Sequence, residues 1–296
     1  MPLATSIIPG PRYSDSHNHV VTTALFDVDN TLVPNDSRDL PSDDFRVATA
    51  KAKTQGIVIG LVSARPLSKT SHIMDYIAAD SLSILCNGAQ IVDSITKQVV
   101  AEWPIRLDTC NQAVSYLDSL AVDYWINDNG TDYFPATIQS RGNFERLSDI
   151  WDRSSPRVIV TGYQPTKPFV INIHNVTEDQ SKTIEAFVIN CNDPDVTTLI
   201  AHETTQADGS LLLDQFIVHK RANKQDALYE LARLQNIPLS TVLAVGDGRN
   251  DAVLMTSAGI GVAMGNSAKE TLAVATFIAP TLSEDGAAVA LRHFAK

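Results

Sequence analysis

Apolar residues along this chain fall into two patterns that alternate. Short unbroken runs form the first: Ala24-Leu25-Phe26, Ile57 to Val62, Ser81 to Cys86, Thr241 to Val245, Ile260 to Met264 and Phe277 to Ala279. Runs of this length fit strands buried on both faces, as in a parallel sheet with helices on either side. Helical spacing forms the second. Phe45, Ala48 and Ala52 follow Pro41-Ser42-Asp43-Asp44, where Ser42 is a cap and acids fill the first turn, and Gly56 is a stop. Ile73, Met74 and Ile77 mark a second helix. Ala227, Leu228, Leu231 and Leu234 mark another over Lys224 to Leu234, with Pro238 beyond it, and a last helix runs to Phe294. Strand and helix in this alternation predict an α/β core, a Rossmann-like doubly wound parallel sheet.

The middle of the chain breaks this rhythm. Helical stretches over Leu107–Leu120 and Thr177–Ile189 lie among strand-like segments at Val122–Asn127, Arg157–Val160, Phe169–His174 and Val196–Ala201. Dense Pro, Gly, Asn and Asp punctuate them, as in an α+β insertion on an antiparallel sheet. The predicted organisation is a core of residues 21–102 and 206–296, interrupted by an inserted domain over 103–205. Residues 1–20, with Pro9, Gly10, Pro11 and a polar run, read as a loose extension.

Composition narrows the class. A chain of 296 residues, 44% of them hydrophobic, is long enough for two cores. A net charge of −11 argues against a nucleic-acid partner and against an anionic membrane surface. It leaves an anionic substrate open, since one metal and a few cations reverse a local field. No apolar run is long enough for a bilayer, and the first residues lack the basic start and apolar core of a signal peptide. Cys86, Cys110 and Cys191 are odd in number and far apart, which suits small buried hydrophobes in a reducing, cytoplasmic setting. His17 and His19 read as part of a solvated tail. Nothing in the pattern bears on oligomeric state.

Candidate chemistry sits at the strand ends, where open α/β sheets bind ligands. The first apolar run finishes in Asp27-Val28-Asp29-Asn30-Thr31. Taken alone, this also fits a solvated Asx turn. As paired acids, Asp27 and Asp29 repel unless a cation or shared proton relieves them. Asp247 and Asp251 end a second run, in Gly246-Asp247-Gly248-Arg249-Asn250-Asp251. Four carboxylates at one sheet edge call for a divalent cation, and Mg²⁺ takes oxygen ligands. Ser63 can hydrogen-bond a phosphate oxygen, and Lys224 supplies positive charge to a transferring phosphoryl group. Asn87 and Gly88 stand past a further strand end. Arg65 divides evenly between facing the site and a structural salt bridge. His174, His202 and His219 read as satisfied polar residues, Trp103, Trp125 and Phe169 as packing, and Asp208 and Asp214 as linker.

These motifs, in this order, resemble the haloacid dehalogenase superfamily, and within it the Cof-type phosphatases with a class IIB cap. The resemblance covers nearly all of Thr22 to Lys296. It is carried by Asp27-Val28-Asp29-Asn30-Thr31, Leu61-Val62-Ser63-Ala64-Arg65-Pro66, Lys224 in Asn223-Lys224-Gln225-Asp226-Ala227-Leu228, and Gly246 to Asp251. Ala258 to Ser267 and Glu284-Asp285-Gly286 add to it. Asn30, Ala64 and Gln225 stand where the family commonly has glycine. The resemblance implies that Asp27 is a nucleophile and Asp29 an acid, then a base, with a raised pKa supplied by carboxylate neighbours. It implies Mg²⁺ on Asp27, the backbone carbonyl of Asp29, and Asp247, with Asp251 and Asn250 holding the metal shell. Ser63, the amide of Ala64 and Lys224 would hold phosphoryl oxygens. Substrate-binding candidates are thus Ser63, Ala64, Asn87, Gly88, Lys224 and Asn250. The inserted domain would be a cap that closes over the core and chooses a small phosphorylated metabolite, with contacts around residues 128–141. A sugar phosphomutase of the same superfamily and a non-catalytic phosphate-ligand binding protein stay open as alternatives.

Overall fold

Thr23 to Phe26 have no solvent exposure, so the backbone polar groups of this stretch must be met inside the protein. They are met by a parallel sheet. A computed structural model of the chain describes residues 6–14, 20–35, 37–136, 157–206 and 208–295. Its first part runs β1 (Ile8–Pro9), β2 (Thr23–Phe26), α1 (Asp43–Thr54), β3 (Val58–Leu61), α2 (Leu67–Tyr76), β4 (Leu82–Leu85), β5 (Gln90–Asp93) and β6 (Val99–Glu102). There follow α3 (Leu107–Leu120), β7 (Asp123–Asp128), β8 (Thr131–Pro135), β9 (Arg157–Val160), β10 (Pro168–Thr177), α4 (Glu178–Asn190), β11 (Val196–Thr205) and β12 (Leu211–His219). The last part runs α5 (Lys224–Gln235), β13 (Val242–Gly246), α6 (Arg249–Ser257), β14 (Ile260–Ala263), α7 (Lys269–Val274), β15 (Phe277–Ile278) and α8 (Gly286–Phe294). The chain divides into two compact units, Met1–Glu102 with Asn223–Lys296, and Trp103–Ala222.

The first unit is built on a six-stranded sheet in the order β1-β15-β14-β13-β2-β3, parallel except at β1. β2 lies between β3, which follows it in sequence, and β13, which comes from the last third of the chain. Connections leaving in opposite directions from neighbouring strands open a crevice at their carboxyl ends. Helix α1 begins as its sequence predicts, with Ser42 Oγ accepting from the Phe45 N–H at 2.9 Å. Its Phe45, Ala48 and Ala52 join Ala24, Phe26, Ile59, Leu243 and Val245 and the Ala287–Leu291 stretch of α8 in one core. Phe26 and Phe45 meet edge to face at 4.9 Å.

Three expectations change here. β4 was expected in the parallel sheet, but it opens an antiparallel sheet, β4-β5-β6, and meets the extension of β3 at a parallel Val62–Ile84 bridge, where the Ser63 N–H donates to the Ile84 carbonyl at 2.8 Å. The Leu61 N–H, which a full parallel ladder would engage, donates to Ser83 Oγ at 2.8 Å. The N-terminal segment is not loose where it is described: β1 pairs with β15, Gly10 and Arg12 donate to Thr276 and Ala275, and Tyr13 packs on Phe277. His17 and His19 lie outside the described residues. The return to the first unit falls at Asn223 and not at 206, because β12 pairs with both β10 and β11.

The second unit has a six-stranded sheet in the order β11-β12-β10-β7-β8-β9, antiparallel except between β8 and β9. Cys110, Ala113 and Leu117 of α3 and Ile184 and Val188 of α4 pack on Tyr124, Ile126, Ile171, Ile173 and Ile217. Thr177 and Gln180 close a capping box at the start of α4. Asp214 lies within β12 and pairs with His174 at 2.5 Å, so it is not a linker residue. His219 Nδ1 accepts from the Arg221 N–H. The Arg221 guanidinium covers the Trp103 ring, Trp125 stacks on Phe134, and Phe169 is buried. The side chain of His202 lies outside the described residues. No helix among the described residues is long and apolar enough to cross a membrane.

Asp128 is stapled rather than offered to a ligand. Its buried carboxylate accepts from Tyr163 Oη, from the Thr166 N–H and Oγ1, and from the Lys167 N–H. Residues 137–141 of the expected ligand-contacting stretch lie outside the described residues. Asp128→Ala is expected to destabilise the second unit by about 3 kcal/mol, since several buried donors lose a charged acceptor. Thermal unfolding followed by circular dichroism measures the loss.

Candidate active site

Phe26 is paired with Val245, so the chain leaves β2 and β13 at the same edge. The Asp27 N–H continues that ladder, donating to the Val245 carbonyl at 2.8 Å. Asp27 and Asp247 therefore meet, although they come from opposite ends of the sequence. Thr31 Oγ1 donates to Asp247 Oδ1 at 3.1 Å and ties the two loops together. One carboxylate oxygen from each of Asp27, Asp247 and Asp251 lies within 4.8 Å of the others.

Lys224 is the cation of this cluster. It is 2% exposed, and its Nζ donates to Asp27 Oδ1 at 2.7 Å and to Asp251 Oδ1 at 2.6 Å. It stands at the first residue of α5, whose start is capped by Asn223 Oδ1 accepting from the Asp226 N–H. Gln225, where glycine is common, binds Ser257 and leaves the cap undisturbed. Gly88 is buried with a φ of +100°, and a Cβ there would lie 2.3 Å from the Asn223 backbone. Its place is therefore beneath the start of α5, where it lets Lys224 reach the acids.

Asp251 braces the turn that presents Asp247. Its Oδ2 accepts from the N–H groups of Asp247 at 3.1 Å and Gly248 at 2.9 Å. Asn87 adopts a left-handed conformation, and its Oδ1 accepts from Asn250 Nδ2 at 3.0 Å. Ser63 is buried, with Oγ accepting from the Arg65 N–H at 3.1 Å, and Ala64 beside it is exposed.

Asp29 has a cation of its own. Its carboxylate does not join the other three; Arg65 grips it from Nε at 3.0 Å and from Nη2 at 2.5 Å. Asp29 has a carboxylate neighbour as well, since its charge reaches Asp247. Both readings of Arg65 hold together: it forms an ion pair, and the pair is with a site residue. Two further residues had no role in the sequence reading. Thr31 links the acid loops, as above. Asn266 donates to the Asn30 carbonyl at 3.0 Å and accepts from the Leu282 N–H at 3.0 Å. Both stand inside the motif runs, which is the signal that could have found them.

The electrostatics follow from three acids sharing one buried cation. Burial, then Asp251, pushes the Asp27 carboxyl well above its ordinary range, against the pull of Lys224. Burial, then Asp251, pushes Asp247 up to about 6. Burial favours the neutral amine of Lys224, but Asp251 and Asp27 outweigh it and raise its pKa. The site thus holds more negative charge than Lys224 neutralises, and its donors are hard oxygens. A divalent cation such as Mg²⁺ fits that donor set, on Asp27 and Asp247 foremost, since both oxygens of Asp251 are engaged by protein donors.

The model of the haloacid dehalogenase-like hydrolases matches residues 24–291, and the chain belongs to that family. It is 25% identical over 273 residues to the 5-amino-6-(5-phospho-D-ribitylamino)uracil phosphatase of Bacillus subtilis, covering 90% of this chain and 93% of that one. It is 25% identical over 248 residues to the pyridoxal phosphate phosphatase of Escherichia coli, covering 81% and 86%. Among solved structures, a superfamily phosphatase from Bacteroides thetaiotaomicron superposes with a TM-score of 0.76 at 22% identity, over 96% of this chain and 98% of that one. A subclass IIB sugar phosphatase superposes with a TM-score of 0.71 at 20% identity, over 93% and 99%. The shared fold is the Rossmann-like core with its inserted α+β unit.

Raised carboxyl groups make stability depend on pH. Asp247 ordinarily titrates near 3.8 and is held at about 6 in the fold. The stability tied to its proton is whole below its unfolded pKa and is lost as pH rises through about 6; Asp27 acts in the same direction. A bound divalent cation offsets this loss. Added MgCl₂ is therefore expected to raise the melting temperature at about pH 7.5 and to leave it unchanged near pH 4.5, as read by differential scanning fluorimetry against a chelator control.

Proposed function

We propose that the protein is a Mg²⁺-dependent phosphatase that hydrolyses a small phosphorylated metabolite through an aspartyl-phosphate. The observation that carries this reading is the buried Lys224 ammonium between Asp27 and Asp251, with Asp247 beside them. A lysine held against an acid at a strand end positions a carboxylate nucleophile and faces a phosphoryl group with positive charge. The named relatives act on phosphomonoesters of small metabolites, which supports the substrate class.

Asp27 attacks phosphorus, so that a P–O bond to its carboxylate forms while the bond to the leaving oxygen breaks. Asp29 gives that oxygen a proton. Asp29 then takes a proton from water as the water oxygen attacks phosphorus, and the P–O bond to Asp27 breaks, releasing phosphate. Lys224 fixes one oxygen of Asp27. Ser63, the amide of Ala64 and Lys224 hold phosphoryl oxygens, and Asn87 and Asn250 form the rim. Asp27, Asp247 and the backbone carbonyl of Asp29 would hold Mg²⁺, with Asp251 behind them; bound there, the ion supplies charge to the phosphoryl group. Selection of the substrate is assigned to the second unit, Trp103–Ala222.

A panel of phosphorylated metabolites with Mg²⁺, scored by phosphate release, tests the reading. Asp27→Asn is expected to lower kcat on the order of 10⁴-fold or more. In ¹⁸O-labelled water one label should enter each phosphate released, whereas a mutase would return the phosphoryl group to a sugar. Equal inertness of both proteins across the panel would show a binding protein.

A further inference from the structure

Arg65 is a cation that the reaction as written leaves idle, yet it is built into the site. It is 6% exposed, and its guanidinium donates from Nε and Nη2 to the two oxygens of Asp29 and from Nη1 to the Ser37 carbonyl at 2.7 Å. Its own backbone is pinned as well. The Arg65 N–H donates to Ser63 Oγ, and its carbonyl accepts from the Cys86 N–H at 3.0 Å. The backbone of Arg65 is therefore fixed to the end of β3 and to the loop after β4, and its guanidinium to Asp29 and the segment that follows it. A planar fork of this kind meets a carboxylate in one plane, which a lysine cannot do.

We infer that Arg65 is the positioning residue that sets the plane of the Asp29 carboxyl, and with it the proton transfer to the leaving oxygen. The inference deepens the phosphatase reading and rests on Asp29 as the acid. Each carboxylate oxygen has two lone pairs, and a bidentate guanidinium uses one on each. The grip thus fixes the carboxyl plane. Without Arg65 the partly buried side chain of Asp29 regains rotamer freedom, and a reacting geometry held in advance becomes one among several.

A leaving group that needs a proton separates this role from a structural one. An alkyl phosphate expels a strongly basic alkoxide, whereas p-nitrophenyl phosphate expels a stable anion. The protein with Mg²⁺ is assayed on glycerol 2-phosphate and on p-nitrophenyl phosphate, as wild type, Arg65→Met, Arg65→Lys, Asp29→Ala, and Arg65→Met combined with Asp29→Ala. Arg65→Met is expected to lower the alkyl-to-aryl ratio of kcat by about 100-fold, within the range of general acid catalysis. Arg65→Lys should restore part of it. In the Asp29→Ala background, Arg65→Met should leave the ratio unchanged, because the two residues act as a unit. Equal losses on both esters, with a lowered melting temperature, would mean that Arg65 only supports the fold, and would overturn the inference. An unchanged ratio in Arg65→Met overturns it as well. A ratio unmoved by Asp29→Ala would instead overturn the acid role of Asp29, and a wild type that cleaves neither ester would overturn the phosphatase reading itself; the inference falls with either.

Discussion

One buried ammonium among three carboxylates, two of them buried and one half-buried, is the interaction on which the site depends. Burying charge is costly, and breaking such a pair costs about 3–5 kcal/mol because the partner is left uncompensated. That is a large share of the stability of an ordinary domain. Lys224 therefore belongs to the fold as much as to the chemistry. The acids on either side outweigh the penalty of burying it, and it draws Asp27 and Asp251 together. The remaining negative charge is what Asp27 and Asp247 show as raised pKa values. A phosphoryl-transfer site needs that surplus, since it gives a divalent ion a reason to bind.

The loops that deliver these groups are fixed by local backbone chemistry. Asn30 has a φ of 54°, in the left-handed region that glycine enters freely and asparagine tolerates best among the rest. Its carbonyl is held by Asn266, so an asparagine serves where glycine is common. Asn87, after β4, takes the same left-handed backbone with a φ of 54°. Gly88 meets a different demand, the near contact of the Asn223 backbone, which no side chain would allow.

Much of the core could be read from the sequence because its signals are local. Unbroken apolar runs ending in Asp27, Ser63 and Asp247 gave strands, and strand ends gave the site. Ser42 and its two acids marked the start of α1. What could not be read depends on partners far apart in sequence. Arg65 and Asp29 each have an ordinary local context, and only the fold brings them together. β12 was hidden because Asp214 and Gln215 interrupt its apolar run; one pairs with His174, and the other is buried at 1% exposure within the sheet. The β5–β6 hairpin was missed because Val99 and Val100 are exposed and its turn is held by the side chain of Asp93, not by glycine. The segment before β2 reads as polar, yet two residues suffice to pair with β15.

The order of strands has a consequence for how the protein is made. β2 leaves the ribosome well before its sheet neighbour β13. The second unit, with its own sheet and core, emerges whole in between. Domains tend to fold as units during synthesis, and pairings between distant segments come late. The growing chain therefore carries one half of its acidic centre unpaired while a complete second unit takes shape, and chemical competence arrives in a single late step, when β13 pairs with β2.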